Sequence, residues 1–356
     1  MPVVDAFTYN ANPGRVIFGA GTLDRLPAEV ERLGLSRVLV VATPAQESDA
    51  RSLAEKIGAR CAGVFAGARM HTPVDVTETA MAVVTRDRVD GLVAVGGGST
   101  TGLAKALALR TDLPQIVAPT TYAGSEMTPI LGETRDGRKV TQSSPKILPE
   151  VVIYDVDLTL TLPTSQSVTS GMNAIAHAVE ALYTRDANPL ISMLAENGIA
   201  ALAEGLPGVA ANPQDRGARS RALYGAWLCG ICLGSVGMAL HHKLCHTIGG
   251  MFDLPHAETH TAILPHAVAY NAPAVPAAME KVARALRVRE AAAGLYDLAA
   301  SLGAQMALRE FGMSPTRIDA AVEAALANPY WNPRPLEREP LRELLRAACD
   351  GTRPAL

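Results

Sequence analysis

What most limits how this chain can fold is a set of short, almost unbroken apolar runs confined to its first 157 residues. They are "RVLVVAT" (37–43), "GLVAVGGGST" (91–100), "QIVAPTT" (115–121) and "VVIYD" (151–155). A strand with one wet face alternates apolar and polar residues. A strand buried on both faces does not, and such strands belong to parallel sheets covered by helices on either side. Between the runs lie stretches such as "PAEVERLG" and "TETAMAVVTRD", apolar at three- and four-residue spacing as helices are. "ETRDGRKVTQ" (133–142) sets Asp-Gly between polar, strand-like arms and reads as a hairpin. Residues 1–157 are thus expected to form an α/β domain with a mostly parallel sheet.

From residue 158 the texture changes. Ala, Leu, Glu and Arg dominate, β-branched runs vanish, and helical periodicity continues to the end, so 158–356 is expected to be an all-α domain. "SVTSGMNAIAHAVEALYTR" and "SRALYGAWLCGICLGSVGMALHHKLCH" read as long helices whose small residues permit close packing. "NPYWNPRPLEREP" (328–340) reads as a proline-rich bend before a last helix. A length of 356 residues exceeds one comfortable core and agrees with two domains. With 32 basic and 35 acidic residues interspersed and no basic block, nucleic acid is excluded as a partner. No apolar run reaches transmembrane length and the first residues lack a signal-peptide pattern, so no membrane partner and a cytoplasmic location are expected. The five cysteines are odd in number and scattered, which suits a reducing compartment. Cys229 and Cys232 form a CxxC, but within an apolar, helix-like stretch that reads as two buried thiols.

Gly96, Gly97, Gly98 and Ser99 follow one strand and precede a helix. Backbone without side chains can approach a phosphate, and a helix N-terminus offers free N–H groups and partial positive charge. Ser99 and Thr100 add hydroxyls and a cap. The pattern is neither GxGxxG nor a P-loop. "PTTYAGSEMT" (119–128), after the next strand, is again rich in small and hydroxyl residues, and two such loops at the ends of adjacent parallel strands are where an open sheet binds a nucleotide. The second strand ends "VVATPAQE" without an immediate carboxylate, so nothing repels a 2′-phosphate and both NADH and NADPH should be accepted.

"HHKLCHTIGGMFDLPHAETH" (241–260) holds five of the eight histidines. His242 and His246 are four apart, and so are Asn173 and His177 in "GMNAIAHAVEA", which puts each pair on one helix face. With His256 they would converge if the two helices pack together. A cluster of Asp and His ligands would make an open catalytic site for zinc or ferrous iron.

The glycine loop, "TTYAGSE", the "AHAVEA" helix and "HHKLCH" with its later "PH" together resemble the iron-containing alcohol dehydrogenase family along nearly the whole chain. The resemblance implies an N-terminal dinucleotide-binding domain, a helical C-terminal domain, and an NAD(P)H-dependent oxidoreductase working as a homodimer. "ANPGRVIFGAGT", "PTTYAGSEMTPILGETRDGRK", "VTSGMNAIAHAVEALY" and "LHHKLCHTIGG" are similar to the branch that reduces the C=C bond of maleylacetate to 3-oxoadipate in aromatic-compound catabolism. By the same resemblance Gly97, Gly98 and Ser99 hold the pyrophosphate, Thr120, Thr121 and Ser125 line the cofactor cleft, and Lys139 reaches the nucleotide from the hairpin. His71, in "MHTPVD", lies near the cofactor. The family's metal ligands fall on Asn173, His177, His242 and His256, and His246 falls where relatives can transfer a proton beside the nicotinamide.

Position 173 is where this chain departs. Metal-dependent members have Asp there, and an amide oxygen is a neutral, weaker ligand. Ala257 stands for the usual Gly, and His260 for a polar amide residue. The expectation is that no metal is required. Maleylacetate is a dianion, and hydride addition to its alkene leaves an enolate to stabilise and a carbon to protonate. His242, His246 and His256 are the candidates for binding the oxyanion and carboxylates as imidazole or imidazolium, with a cationic pocket suiting the dianion. His246 is the leading candidate for proton donor, and His177 is expected to support the rings. Lys243 either binds a carboxylate or is solvated; Tyr122 either contacts substrate or packs. The alternatives are an Fe²⁺- or Zn²⁺-dependent alcohol dehydrogenase acting on a small alcohol or aldehyde, a non-redox lyase of the dehydroquinate synthase type, and a ligand-binding module without activity. Asn173 opposes the first. The lost acidic ligand and the scarcity of basic residues for a phosphorylated substrate oppose the second, and five clustered histidines oppose the third.

Overall fold

A computed structural model describes residues 7–12, 14–135 and 138–355, without the side chains of Arg138 and Lys139. The chain divides into Ala11–Leu162 and a second unit made of Pro163–Leu356 with the segment through Asn10. The division thus falls just past the short turn Val156–Thr159, where the texture of the sequence changes.

In the first unit, strands β1 (Arg15–Gly19), β2 (Val38–Val41), β3 (Cys61–Phe65), β4 (Gly91–Gly96), β5 (Gln115–Pro119) and β8 (Val151–Asp155) form a six-stranded sheet in the order β1-β8-β5-β4-β2-β3. Every pairing in it is parallel. β6 (Ile130–Arg135) and β7 (Arg138–Ser143) are the expected antiparallel hairpin; its Asp-Gly turn lies outside the described residues. Helices α1 (Leu26–Arg32), α2 (Glu47–Ile57), α3 (Val74–Arg86) and α4 (Gly98–Thr111) connect the strands. The unbroken apolar runs mean what they suggested. Val38 and Val40 belong to a core with residues of α1 and α2, while Leu39 and Val41 belong to another with residues of α3 and α4. Successive residues of one strand point to opposite faces, and both faces are covered. The strands "RVIFG" and "CAGVF", β1 and β3, lie outside the runs singled out in the sequence; their residues are mostly half-buried. Because β2 leads to one side of the sheet and β4 to the other, the order reverses between these neighbours, and ligands bind open α/β sheets at such a reversal.

The second unit holds α5 (Thr164–Ala181), α6 (Pro189–Ala211), α7 (Arg216–Ser235), α8 (Leu240–Phe252), α9 (His256–Asn271), α10 (Pro276–Leu286), α11 (Ala291–Ser301), α12 (Ile318–Ala327) and α13 (Arg338–Asp350). Helix α6 packs closely on α7 because both carry glycines at the contact: a Cβ on Gly205 would stand 2.7 Å from the Ala222 backbone nitrogen. Residues of α8, α9, α12 and α13 share one apolar core. The stretch "SRALYGAWLCGICLGSVGMALHHKLCH" is two helices rather than one. It breaks at the extended Val236, and α7 and α8 meet at 92°. A buried carboxylate holds the break: Glu180 of α5 accepts from the Ala239 N–H (2.9 Å) and the His241 N–H (2.7 Å) at the start of α8. Amides that a continuous helix would satisfy internally are thereby capped from outside. Cys229 and Cys232 are free, buried thiols, and burial pushes both upward, Cys232 to about 12. Among the described residues, no single helix is long and apolar enough to cross a membrane.

Candidate active site

The sheet unit builds its loops at the reversal of strand order. β4 ends on Gly96, whose φ of 149° and neighbours leave no room for a side chain: a Cβ would lie 2.4 Å from Thr100 Oγ1. Gly98 differs. It opens α4, and nothing lies within 4 Å of where its Cβ would be. The first turn of α4 carries no acidic residue. An open backbone at an unopposed helix N-terminus fits an anionic pyrophosphate. Thr120 is tied in by its N–H, which donates to the Gly96 carbonyl (3.1 Å), and by its hydroxyl, which accepts from the Gln46 amide (3.3 Å); the Gln46 amide oxygen accepts from the Thr43 hydroxyl (3.0 Å). Gln46 thereby joins the loops after β2 and β5, a role the sequence reading missed. Thr121 packs against Gly97.

Beneath the second loop lies Lys105 of α4, fully buried. Its ammonium donates among the carbonyls of Ser125, Thr128 and Ile130 at 2.5, 2.7 and 2.9 Å and the hydroxyls of Thr128 and Ser125 at 2.9 and 3.4 Å. Burial outweighs the nearby Glu126 charge and pulls its pKa down to about 7. Ser125 is thus held by Lys105 as well as placed on the loop. Tyr122 is wholly buried. His71 and Thr72 both adopt positive φ, 64° and 47°, which is uncommon for such residues. Of Lys139 the structure describes only the backbone, paired with Thr134; its side chain lies outside the described residues.

The helical unit gathers the histidines. Asn173 and His177 share a face of α5, His242 and His246 a face of α8, and His256 and His260 a face of α9. His242 lies at the centre: its ring is 5.1 Å from His177, stacked at 30°, 4.9 Å from His260 and 6.1 Å from His246. His256 stands 4.3 Å from His260. His242 Nδ1 bonds Glu180 at 2.7 Å, leaving Nε2 to face the cluster. Behind it, His241 Nε2 meets His260 Nδ1 at 3.0 Å and the Cys245 thiol at 3.7 Å. Burial, reinforced by neighbouring imidazoles, holds His177, His241 and His260 well below the usual histidine range. These three rings are therefore neutral near pH 7. The ammonium at the site is Lys243, half-buried, 5.6 Å from the ring centroid of Tyr330. His246 Nδ1 lies 3.1 Å from the Tyr330 hydroxyl.

A divalent ion in this place would fall to Asn173, His177, His242 and His256. Asn173 Oδ1, His177 Nδ1 and His242 Nε2 are buried without a hydrogen-bond partner among the described residues, so they await a polar group. Yet none of the four donors is a carboxylate, and the carboxylate that touches His242, Glu180, is already occupied by two backbone N–H groups and that ring. The set does not fit a dication held by an anionic ligand. Among the described residues, the His, Cys and acidic ligand atoms that come within 4.8 Å as a trio belong instead to His241, Cys245 and His260. The sequence reading gave no role to Glu180, His260, His241 and Tyr330. The first was visible in "AHAVEA" three residues after His177, and His260 in its four-residue spacing from His256.

A parallel sheet with a phosphate-ready glycine loop, followed by helices that carry clustered imidazoles, defines a nicotinamide-dependent oxidoreductase. Residues 13–156 match the iron-containing alcohol dehydrogenase family and residues 167–349 its C-terminal part. The chain belongs to that family. It is 56% identical to the maleylacetate reductase of Rhizobium sp. (strain MTP-10005) over 98% of this chain and 99% of that one. With the maleylacetate reductase of Burkholderia cepacia it shares 53% identity over 99% and 100%. The crystal structure of maleylacetate reductase from Agrobacterium tumefaciens superposes with a TM-score of 0.96 at 55% identity, covering 98% of this chain and all of that one.

Proposed function

We propose that this protein reduces the carbon–carbon double bond of maleylacetate to give 3-oxoadipate, with NADH or NADPH as reductant and no metal ion. The observation that carries the reading is likeness to reductases of that name over essentially full length. The site chemistry agrees: a family that takes its name from iron has here an amide at position 173 and a donor set short of negative charge. Gly97, Gly98 and Ser99 hold the cofactor pyrophosphate, and Thr120, Thr121, Ser125 and Lys139 complete its site. When bound, the nicotinamide supplies a hydride to the alkene carbon farther from the ketone. The protein's part is to hold the substrate and complete the addition. His256, and His242 fixed by Glu180, meet the charge that grows on the ketone oxygen; neutral His177 stacks on His242 and keeps its ring in place. Lys243 pairs with a carboxylate of the dianion. His246 protonates the carbon next to the ketone, so that one hydride and one proton saturate the bond. Tyr122 is assigned to packing. The proposed assembly is a homodimer, measurable by light scattering.

The test is NADH oxidation with maleylacetate before and after exhaustive chelation, with metal content measured on the same sample. Full activity in metal-free protein is the expected result. Activity lost on chelation and restored by Fe²⁺ or Zn²⁺ would make Asn173 a working ligand and overturn the metal-free reading.

A further inference from the structure

The proline-rich segment between α12 and α13 is the sequence motif to which the proposed reaction gives no role. It is not loose. Asn271, at the end of α9, and Asn332 exchange two side-chain amide hydrogen bonds, at 2.9 and 2.8 Å. The second amide hydrogen of Asn332 goes to the Arg334 carbonyl at 2.7 Å. The Tyr270 hydroxyl donates to the Pro335 carbonyl at 2.7 Å and accepts from the Glu337 N–H at 3.2 Å. Arg334 donates to the Tyr270 carbonyl at 2.9 Å and lays its guanidinium 4.2 Å from that ring's centroid. One short stretch of chain is thereby strapped to the helix that carries His256 and His260. What the strap delivers is Tyr330, with its hydroxyl 3.1 Å from His246 Nδ1 and its ring facing the Lys243 ammonium.

Three features make this phenol a proton source rather than a bystander. It touches Nδ1, one of the two nitrogens through which the His246 imidazole can take up or give up a proton. Burial and the Glu180 charge raise its pKa, so it carries its proton at rest. It is still 37% exposed, so solvent can return a proton once it is spent. A neutral imidazole that gives up its Nε2 proton needs another at Nδ1, or it is left as a strongly basic anion.

We propose that Tyr330 and His246 form a proton relay: the Tyr330 O–H bond breaks as Nδ1–H forms, and the Nε2–H bond breaks as the new C–H bond of the substrate forms. The residue left is a tyrosinate beside the Lys243 ammonium, which offsets its charge. A solvent proton then restores the phenol. The relay rests on the proposed reading of His246 as proton donor to maleylacetate, while the Tyr330–His246 hydrogen bond does not.

The experiment uses the full-length enzyme with NADH and maleylacetate, comparing wild type with Tyr330→Phe. The relay predicts kcat lower by about tenfold or more, with both KM values within about twofold and a larger solvent deuterium isotope effect on kcat. It also predicts a change in the ¹⁵N signals of the His246 ring, assigned by their loss in His246→Asn. A kcat within about threefold of wild type, or unchanged His246 signals, would overturn the relay. If Tyr330→Phe does not fold, Asn332→Ala, which slackens the strap and keeps both relay residues, carries the same two outcomes. Should wild type fail to reduce maleylacetate, the functional reading falls, and the ¹⁵N signals still decide the hydrogen bond.

Discussion

Glu180 does three things with one carboxylate. It caps the start of α8, fixes the ring of His242, and holds the 92° break that turns His242 and His246 toward the other histidines. Glu180→Gln keeps one acceptor oxygen for these three buried donors and turns an NH2 donor toward the rest. Glu180→Gln is therefore expected to lower stability by about 2–4 kcal/mol, read from the urea midpoint, and to reduce kcat by more than about tenfold. A variant with wild-type stability would remove its structural role. Lys105 makes the matching case in the sheet unit. Its folded pKa of about 7 lies below the unfolded value of about 10.4, so the unfolded chain binds more protons in that interval. Stability from this group therefore rises with pH from about 7 to 10 and is least below 7. Lys105→Met leaves the Ser125, Thr128 and Ile130 carbonyls without this donor and should cost about 2–4 kcal/mol at neutral pH. The gap between wild type and variant should widen at pH 9, as urea titrations at the two pH values would show. A gap that narrows would contradict the depressed pKa.

At the scale of elements, the glycine loop separates a structural glycine from a functional one. Gly96 sits at φ 149° against Thr100 and Gln46, while Gly98 begins α4 with open space on its side-chain face. Gly96→Ala should lower the melting temperature. Gly98→Ala should leave it unchanged or slightly raise it, since Ala is the better helix residue, yet weaken NADH binding by about tenfold by filling the phosphate's approach. Calorimetric titration and a melting curve on each variant decide the matter; equal NADH affinity in Gly98→Ala would move the pyrophosphate elsewhere. The same elements show what was legible in the sequence. β2, β4, β5 and β8 were readable because both faces are buried and the apolar runs are unbroken. β1 and β3 were not, because their half-buried residues give a weaker pattern. The α7–α8 break was hidden because its cause, Glu180, is about 60 residues away in sequence. Residues 173, 177, 242 and 246 stood out by spacing, and His256 by the histidine-rich stretch and the family resemblance. Tyr330 could not, because it reaches His246 through a strap of amide and tyrosine hydrogen bonds that no local periodicity encodes.

The whole molecule consists of two units with separate cores: β-branched and aliphatic side chains on both faces of a parallel sheet in one, helix-on-helix packing in the other. Each unit carries its own share of the chemistry, the phosphate-ready loop in the first and the imidazoles in the second. Division of labour of this kind has a thermodynamic consequence. A ligand that binds only the folded form stabilises what it binds by RT ln(1 + [L]/Kd), about 2.7 kcal/mol at a hundredfold excess over Kd. NADH should therefore raise the unfolding transition of the sheet unit, and Glu180→Gln should lower that of the helical unit. Differential scanning calorimetry of wild type and variant, each with and without NADH, separates the effects. Two transitions that respond one to each perturbation are the expected outcome. A single transition moved by both would mean that the two cores melt as one cooperative body, and that the division visible in the chain's texture does not extend to its energetics.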